Sequence, residues 1–171
     1  SYGLQPIRLV ILENKHMQKQ LVAHSFGQEQ VAQASHVLVI CIQNEINDTY
    51  INEYFKQVKR IRGTSDEILN PFKEALVESF SKKDIAEIKE WSKNQAYLAL
   101  GNLLTLCAIE KIDACPMEGF VPDAYDELLG VKEKGLTSVL VLPVGYRATD
   151  DIFATFKKVR RDLNDSIIEI S

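Results

Sequence analysis

The sequence predicts an α+β protein, a sheet wrapped by helices. Three observations carry this. Three short apolar and β-branched runs, residues 8–12 (RLVIL), 36–42 (HVLVICI) and 137–146 (TSVLVLPVGY), read as strands. Longer segments between them place their apolar residues at helical spacing. Strands and helices do not alternate as a βαβ repeat, which argues against a doubly wound parallel sheet.

Each element has a local reason. Asn14 is placed to cap a helix over 14–24, with Met17, Leu21 and His24 on one side. A polar break at Gly27 leads into a short helical segment, and the unbroken apolar run 36–42 reads as a strand buried on both faces. Ile51, Tyr54, Phe55, Val58 and Ile61 share a face of a helix over 48–62, which Gly63 ends. Residues 66–80 form another helical piece that starts or kinks at Pro71. The strongest element is 84–111: amphipathic through Ile85, Ile88 and Trp91, then apolar on nearly every side from Ala96. Such a helix lies at the centre of a protein or in an oligomer interface. Pro122 suits the first turn of a helix that Gly130 stops. The tail carries ATFKKVRRDLND and then the strand-like SIIEI, 166–170. No repeat, low-complexity segment or linker divides the 171 residues, and that length favours one domain.

Composition narrows the function. Hydrophobic residues make up 46% of the chain, enough for a core, and a net charge of −4 without a basic block disfavours general nucleic-acid binding. The richest apolar run, 96–109, is interrupted by Gly101, Asn102 and Thr105, too broken to span a bilayer. The opening SYGLQPIRLV lacks the basic head and apolar body of a signal peptide. Cys41, Cys107 and Cys115 lack metal-ligand spacing and sit among apolar neighbours, so they read as buried thiols of a reducing cytosol. His16, His24 and His36 form no metal motif. GxSxG, GxGxxG and GxxxxGK[ST] are all absent.

Four polar patches remain. Ser1 and Gly3 in SYGLQP could turn backbone N–H groups toward an anion, or form an ordinary loop. Gln28 and Gln30 in GQEQ could hydrogen-bond a ligand edge, or be a solvated helix start. Lys158 and Arg160 flank Val159 and, in an extended segment, would point the same way and grip one phosphate; otherwise they belong to a solvated basic end. Gly119, in PMEGF (116–120), has no side chain to keep its N–H from a flat ring, though Glu-Gly also suits a plain turn.

In their order and spacing these pieces resemble the nitroreductase family of FMN enzymes. The resemblance runs through Ser1, Gln5 and Pro6; ASHV (34–37); Lys83, Asp84, Glu90 and Trp91; YLALGNLL (97–104); PMEGF; GVKEKGLTS (130–138); LPVGY (142–146); and ATFKKVR (154–160). It implies one nitroreductase-like domain over 1–171, without the family's N-terminal helix, built on a central mixed sheet wrapped by helices. It also implies an intertwined cytoplasmic homodimer with the long helix in the contact. FMN would lie against Pro116, Met117, Glu118 and Gly119, with Gln30 near the pyrimidine edge, Lys158 and Arg160 on the phosphate, and Ser1 reaching the flavin from the partner subunit. The implied activity is NAD(P)H oxidation: NADH or NADPH gives a hydride to the flavin, which passes it in a ping-pong cycle to small planar acceptors such as nitroaromatics, quinones, flavins or pteridines. A non-catalytic FMN-binding or regulatory homodimer on the same fold is the alternative, and a flavin-dependent dehalogenase or flavin-destroying enzyme is a further one. Close relatives often carry Asn where this chain has Gly27 and Lys where it has Gln30, and that Lys charge would favour an anionic reduced flavin. No metal, nucleic acid or membrane is expected as a partner, and no side chain is expected to act as a dedicated acid or base.

Overall fold

A computed structural model describes residues 2–170. In chain order the elements are β1 (Ile7–Leu12), α1 (Lys15–Ala23), α2 (Gln30–Gln33), β2 (His36–Gln43), α3 (Asp48–Arg62), α4 (Asp66–Ser81), α5 (Ile85–Ile109), β3 (Asp113–Ala114), α6 (Pro122–Leu128), β4 (Leu136–Gly145) and α7 (Leu163–Ser166).

Local chemistry sets most of the boundaries. Asn14 Oδ1 accepts from the N–H groups of His16 and Met17 at 3.0 and 3.1 Å, satisfying two donors that the first turn of α1 would leave free. Asn47 does the same for Tyr50 at the start of α3, and Gly63 closes that helix in the left-handed region at φ 66°. Asp84 and Glu87 form a reciprocal capping box on α5, a type of cap worth about 1 kcal/mol. Helix α4 runs through Pro71 instead of starting there. The first turn begins at Ser65, whose carbonyl accepts from Leu69, so Pro71 removes one later bond from an already closed turn.

The sheet order is β1-β2-β4-β3. Every pairing is antiparallel, where a mixed sheet was expected. Central strand β2 is covered on both faces, as its unbroken apolar run implies. Val37, Val39 and Cys41 face one layer, with Leu21, Val31, Tyr125, Met117 and Phe120. Ile40 and Ile42 face the other, where Ala96 and Leu100 of α5 pack on Leu140 and Leu142. A separate cluster of Leu4, Ile46, Ile51, Phe55, Leu76, Phe80 and Ile88 joins α3, α4 and the start of α5.

Helix α5 is only partly covered within the single chain. Ile88, Ser92, Ala96 and Leu100 are buried at four-residue steps, whereas Leu98, Leu106 and Ile109 are more than half exposed. The sheet edge at β1 also presents Leu9 and Ile11 to solvent. An apolar groove of about 410 Å³, lined by Ile7, Leu9, Ile40, Ala99, Leu103 and Leu106, runs between that edge and α5.

Three expectations need correction. SIIEI forms no strand: Leu163–Ser166 is a short helix, and residues 167–170 pair with no strand among the described residues. Cys41 is buried, and loss of hydration pushes its thiol up to about 12, but Cys107 is half-buried and Cys115 is exposed. Two strand segments were not anticipated, the pair 113–114 and an isolated bridge at Met117. Among the described residues no helix is long and apolar enough to cross a membrane.

Candidate functional site

The site forms where the PMEGF segment runs along the free edge of β4. The Cys115 N–H donates to Pro143 O at 3.0 Å, and Met117 exchanges both backbone bonds with Val141, at 2.8 and 3.1 Å. Pro116 lies between them, where its missing N–H is not needed, as suits a proline on an edge segment. The Met117 and Phe120 side chains are buried in the core, 4% and 6% exposed, so they anchor the turn from below. The main support of the turn is the sheet edge, because alternate residues of a strand can bond β4 and fill the core together.

Between these anchors, Glu118 and Gly119 keep two backbone donors free. The Phe120 N–H donates to Glu118 O at 3.0 Å and the Val121 N–H to His24 O at 2.8 Å. Among the described residues nothing accepts from the N–H of Glu118 or of Gly119. Two adjacent donors at an accessible turn suit a ligand edge with paired acceptors, such as a ring nitrogen beside a carbonyl.

The segment after α1 packs against this turn. Phe26 and Gly27 both take the left-handed backbone, at φ 54° and 76°. That conformation is costly for a phenylalanine, and strain of this kind gathers at functional sites. The Phe26 ring is 72% exposed and lies against Gly119: a Cβ placed on Gly119 would meet Phe26 Cδ2 at 3.7 Å and Gln28 Nε2 at 3.0 Å. Gln28 Nε2 donates to Gly119 O at 2.8 Å and to Ser25 O at 3.0 Å. Gln30 Nε2 donates to Gln28 Oε1 at 3.0 Å and lies 3.8 Å from Cys115 Sγ. A buried hydroxyl pair, Ser25 with Tyr125 at 2.7 Å, secures the start of the segment.

From the other side, α5 contributes Tyr97, whose hydroxyl donates to the Glu118 carboxylate. That hydrogen bond, more than burial or the neighbouring carboxylates, pushes the phenol up to about 12. Tyr97 is the site residue the sequence reading missed. One signal was available: a phenol within an otherwise apolar helical stretch needs a polar partner.

The structure thus gathers Gln30, Pro116, Met117, Glu118 and Gly119 around one turn, Met117 through its backbone. Lys158 and Arg160 lie on the exposed segment after β4 and make no hydrogen bond or ion pair with the turn among the described residues. Arg147 anchors the start of that segment by a two-pronged contact with Asp113, at 2.6 and 2.8 Å. Lys158 is close enough that its charge, after the Arg147 hydrogen bond and charge, helps hold the Asp113 carboxyl below its usual range. Arg160 donates to the neighbouring Val159 carbonyl at 2.8 Å. Ser1 lies outside the described residues. The loop after it is strained, with Tyr2, Gly3 and Gln5 all at positive φ, and the Tyr50 hydroxyl holds the Leu4 and Gln5 carbonyls at 2.9 and 3.0 Å. Phe80, considered for a substrate wall, is core at 3% exposure, and Tyr54 packs against the same cluster. Among the described residues no group of three or more His, Cys, Asp or Glu could hold a metal ion.

The chain as a whole has recognisable relatives. Residues 1–146 match the family described as "Nitroreductase family". An oxygen-insensitive NAD(P)H nitroreductase of Enterobacter cloacae is 31% identical over 147 residues, covering 84% of this chain and 68% of the relative. A nitroreductase-like protein from Streptococcus mutans superposes with a TM-score of 0.82 at 23% identity, over 100% of this chain and 80% of that one. A structure from Exiguobacterium sibiricum, solved in complex with FMN, superposes with a TM-score of 0.81 at 22% identity, over 99% and 79%.

Proposed function

The chain belongs to the nitroreductase family, and on that premise we propose that it is an FMN-dependent oxidoreductase that takes electrons from NADH or NADPH. It passes them in a ping-pong cycle to a small planar acceptor: a nitroaromatic, a quinone, a flavin or a pteridine. The observation that carries this reading is the pair of free N–H groups on Glu118 and Gly119, held on a rigid sheet edge beside an exposed aromatic ring. The names of the similar nitroreductases and the FMN-bound structural neighbour support it.

FMN, when bound, supplies the two-electron chemistry. The protein's own work is binding and orientation. The Glu118 and Gly119 N–H groups would hold the acceptor edge of the ring, and preorganised donors of this kind stabilise developing charge. Gln30 would offer a neutral amide to the pyrimidine edge. Lys158 and Arg160 would take the phosphate, Arg by two parallel bonds and Lys as a point charge. Ser1 would approach from the partner subunit.

The homodimer is part of the same proposal, as is a cytoplasmic location with access to NAD(P)H. It is supported by the uncovered apolar face of α5, the open edge at β1, and a tail that exposes Ile152, Phe153, Phe156, Val159, Leu163, Ile168 and Ile170. So much exposed apolar surface marks an interaction site, and a β-branched end without a strand partner suits an open edge of a second copy.

The deciding experiment is anaerobic reduction. The FMN-loaded protein should lose its flavin absorbance with NADH or NADPH and regain it with a quinone or nitroaromatic. A protein that binds FMN but is reduced by neither nucleotide would support the non-catalytic alternative.

A further inference from the structure

Anchoring the two ends of the 117–120 turn does not settle which way its peptide groups face. A peptide unit between fixed neighbours can rotate and exchange its C=O and N–H directions. Because the trans peptide puts N–H and C=O on opposite sides, fixing a carbonyl fixes the N–H of the same unit. The carbonyls here are individually accounted for. Met117 O accepts from the Val141 N–H at 3.1 Å and Glu118 O from the Phe120 N–H at 3.0 Å. These two bonds orient the N–H groups of Glu118 and Gly119 respectively. The next carbonyl, Gly119 O, has no backbone donor among the described residues and is held by the Gln28 side chain; its peptide unit carries the Phe120 N–H, the donor that holds Glu118 O and so orients the Gly119 N–H. Gln28 is itself braced through Ser25 O and Gln30.

A second hazard lies in Glu118. A carboxylate is a strong acceptor, and on a flexible side chain beside two free N–H groups it would compete for them. Tyr97 donates to that carboxylate from α5 and occupies it elsewhere.

We propose that Gln28 and Tyr97 are positioning residues: Gln28 locks the Gly119 carbonyl and, through the Phe120 N–H on the same peptide unit, the orientation of the Gly119 N–H, while Tyr97 keeps the Glu118 carboxylate from claiming the Glu118 and Gly119 N–H groups, which stay available to a planar ligand. The ligand's identity rests on the flavin reading above; the two restraints do not.

The test compares this chain with its Gln28→Leu, Tyr97→Phe and double variants. Backbone 15N order parameters of Glu118 and Gly119 are measured without FMN, and the FMN dissociation constant is measured alongside. The expected result is a Gly119 order parameter falling from about 0.85 to below about 0.6 in the double variant, with Glu118, held through Met117 O, changing less, and an FMN dissociation constant raised roughly tenfold in each single variant. Tyr97→Phe removes only a partly exposed hydroxyl, so its melting temperature should stay near wild type, which separates positioning from general stability. Unchanged order parameters, or FMN affinity lost only in step with thermal stability, would overturn the proposal. A wild-type protein that binds no FMN, while its variants still loosen the turn, would refute the flavin reading and support the restraints.

Discussion

Replacing Gly119 with alanine tests whether the turn is built around a missing side chain. Gly119 is not among the positive-φ glycines, so alanine brings no backbone penalty there. The cost must come from contact. The added Cβ would lie 3.7 Å from Phe26 Cδ2, an ordinary distance, but 3.0 Å from Gln28 Nε2. That nitrogen cannot give way freely, because it donates to Gly119 O at 2.8 Å and to Ser25 O at 3.0 Å. Each bond contributes about 1 kcal/mol net, so displacement costs about 1–2 kcal/mol. In a domain of this size that corresponds to a Tm lowered by roughly 2–8 °C. If the same turn seats FMN, a similar cost in binding is roughly a 5- to 30-fold weaker Kd. Thermal melting by circular dichroism and titration of FMN fluorescence read the two effects separately. A variant equal to wild type in both would refute the reasoning, and a lower Tm with unchanged FMN affinity would remove the turn from the flavin site.

Replacing Lys158 and Arg160 together with alanine should leave the purified protein colourless while it stays folded; full FMN occupancy at wild-type affinity would count against the phosphate assignment. Tyr125→Phe addresses the foundation of the site. Ser25 Oγ donates its one proton to Leu21 O at 2.8 Å, so Tyr125 must donate to Ser25, and losing that buried bond should cost about 1–3 kcal/mol in a urea melt. Tyr97 should titrate near pH 12, above the ordinary 10.0 of a phenol. Its folded pKa is raised, so its contribution is complete below about pH 10 and is lost as pH rises through about 12. Ultraviolet titration should show that late phenol in wild type and lose it in Tyr97→Phe, and Glu118→Gln should return it toward the ordinary value.

Much of the fold was legible because its signals are local. Asn14 marked the start of α1 as its cap, apolar spacing marked α3 and α5, and the unbroken run of β2 announced a strand with two covered faces. The Cys115–Met117 edge was not legible. Its pairing with β4 spans 24 to 28 residues, and a short stretch containing a proline carries no period of its own. The tail misled for a related reason: SIIEI has strand composition, but a strand needs a neighbour, and among the described residues it has none.

The sequence by itself determined most of the helices and the three apolar strand runs, because caps and periodicity are properties of neighbouring residues; Gln30, Glu118 and Gly119 were joined in one candidate site only by the resemblance to a family. Only the tertiary structure decided that Gln28 and Tyr97, 91 and 21 residues away from their partners, restrain the turn. It also decided that two adjacent N–H groups find no acceptor among the described residues. Whether a backbone donor is satisfied depends on every acceptor the fold brings within reach, and that is fixed only when the whole chain has folded.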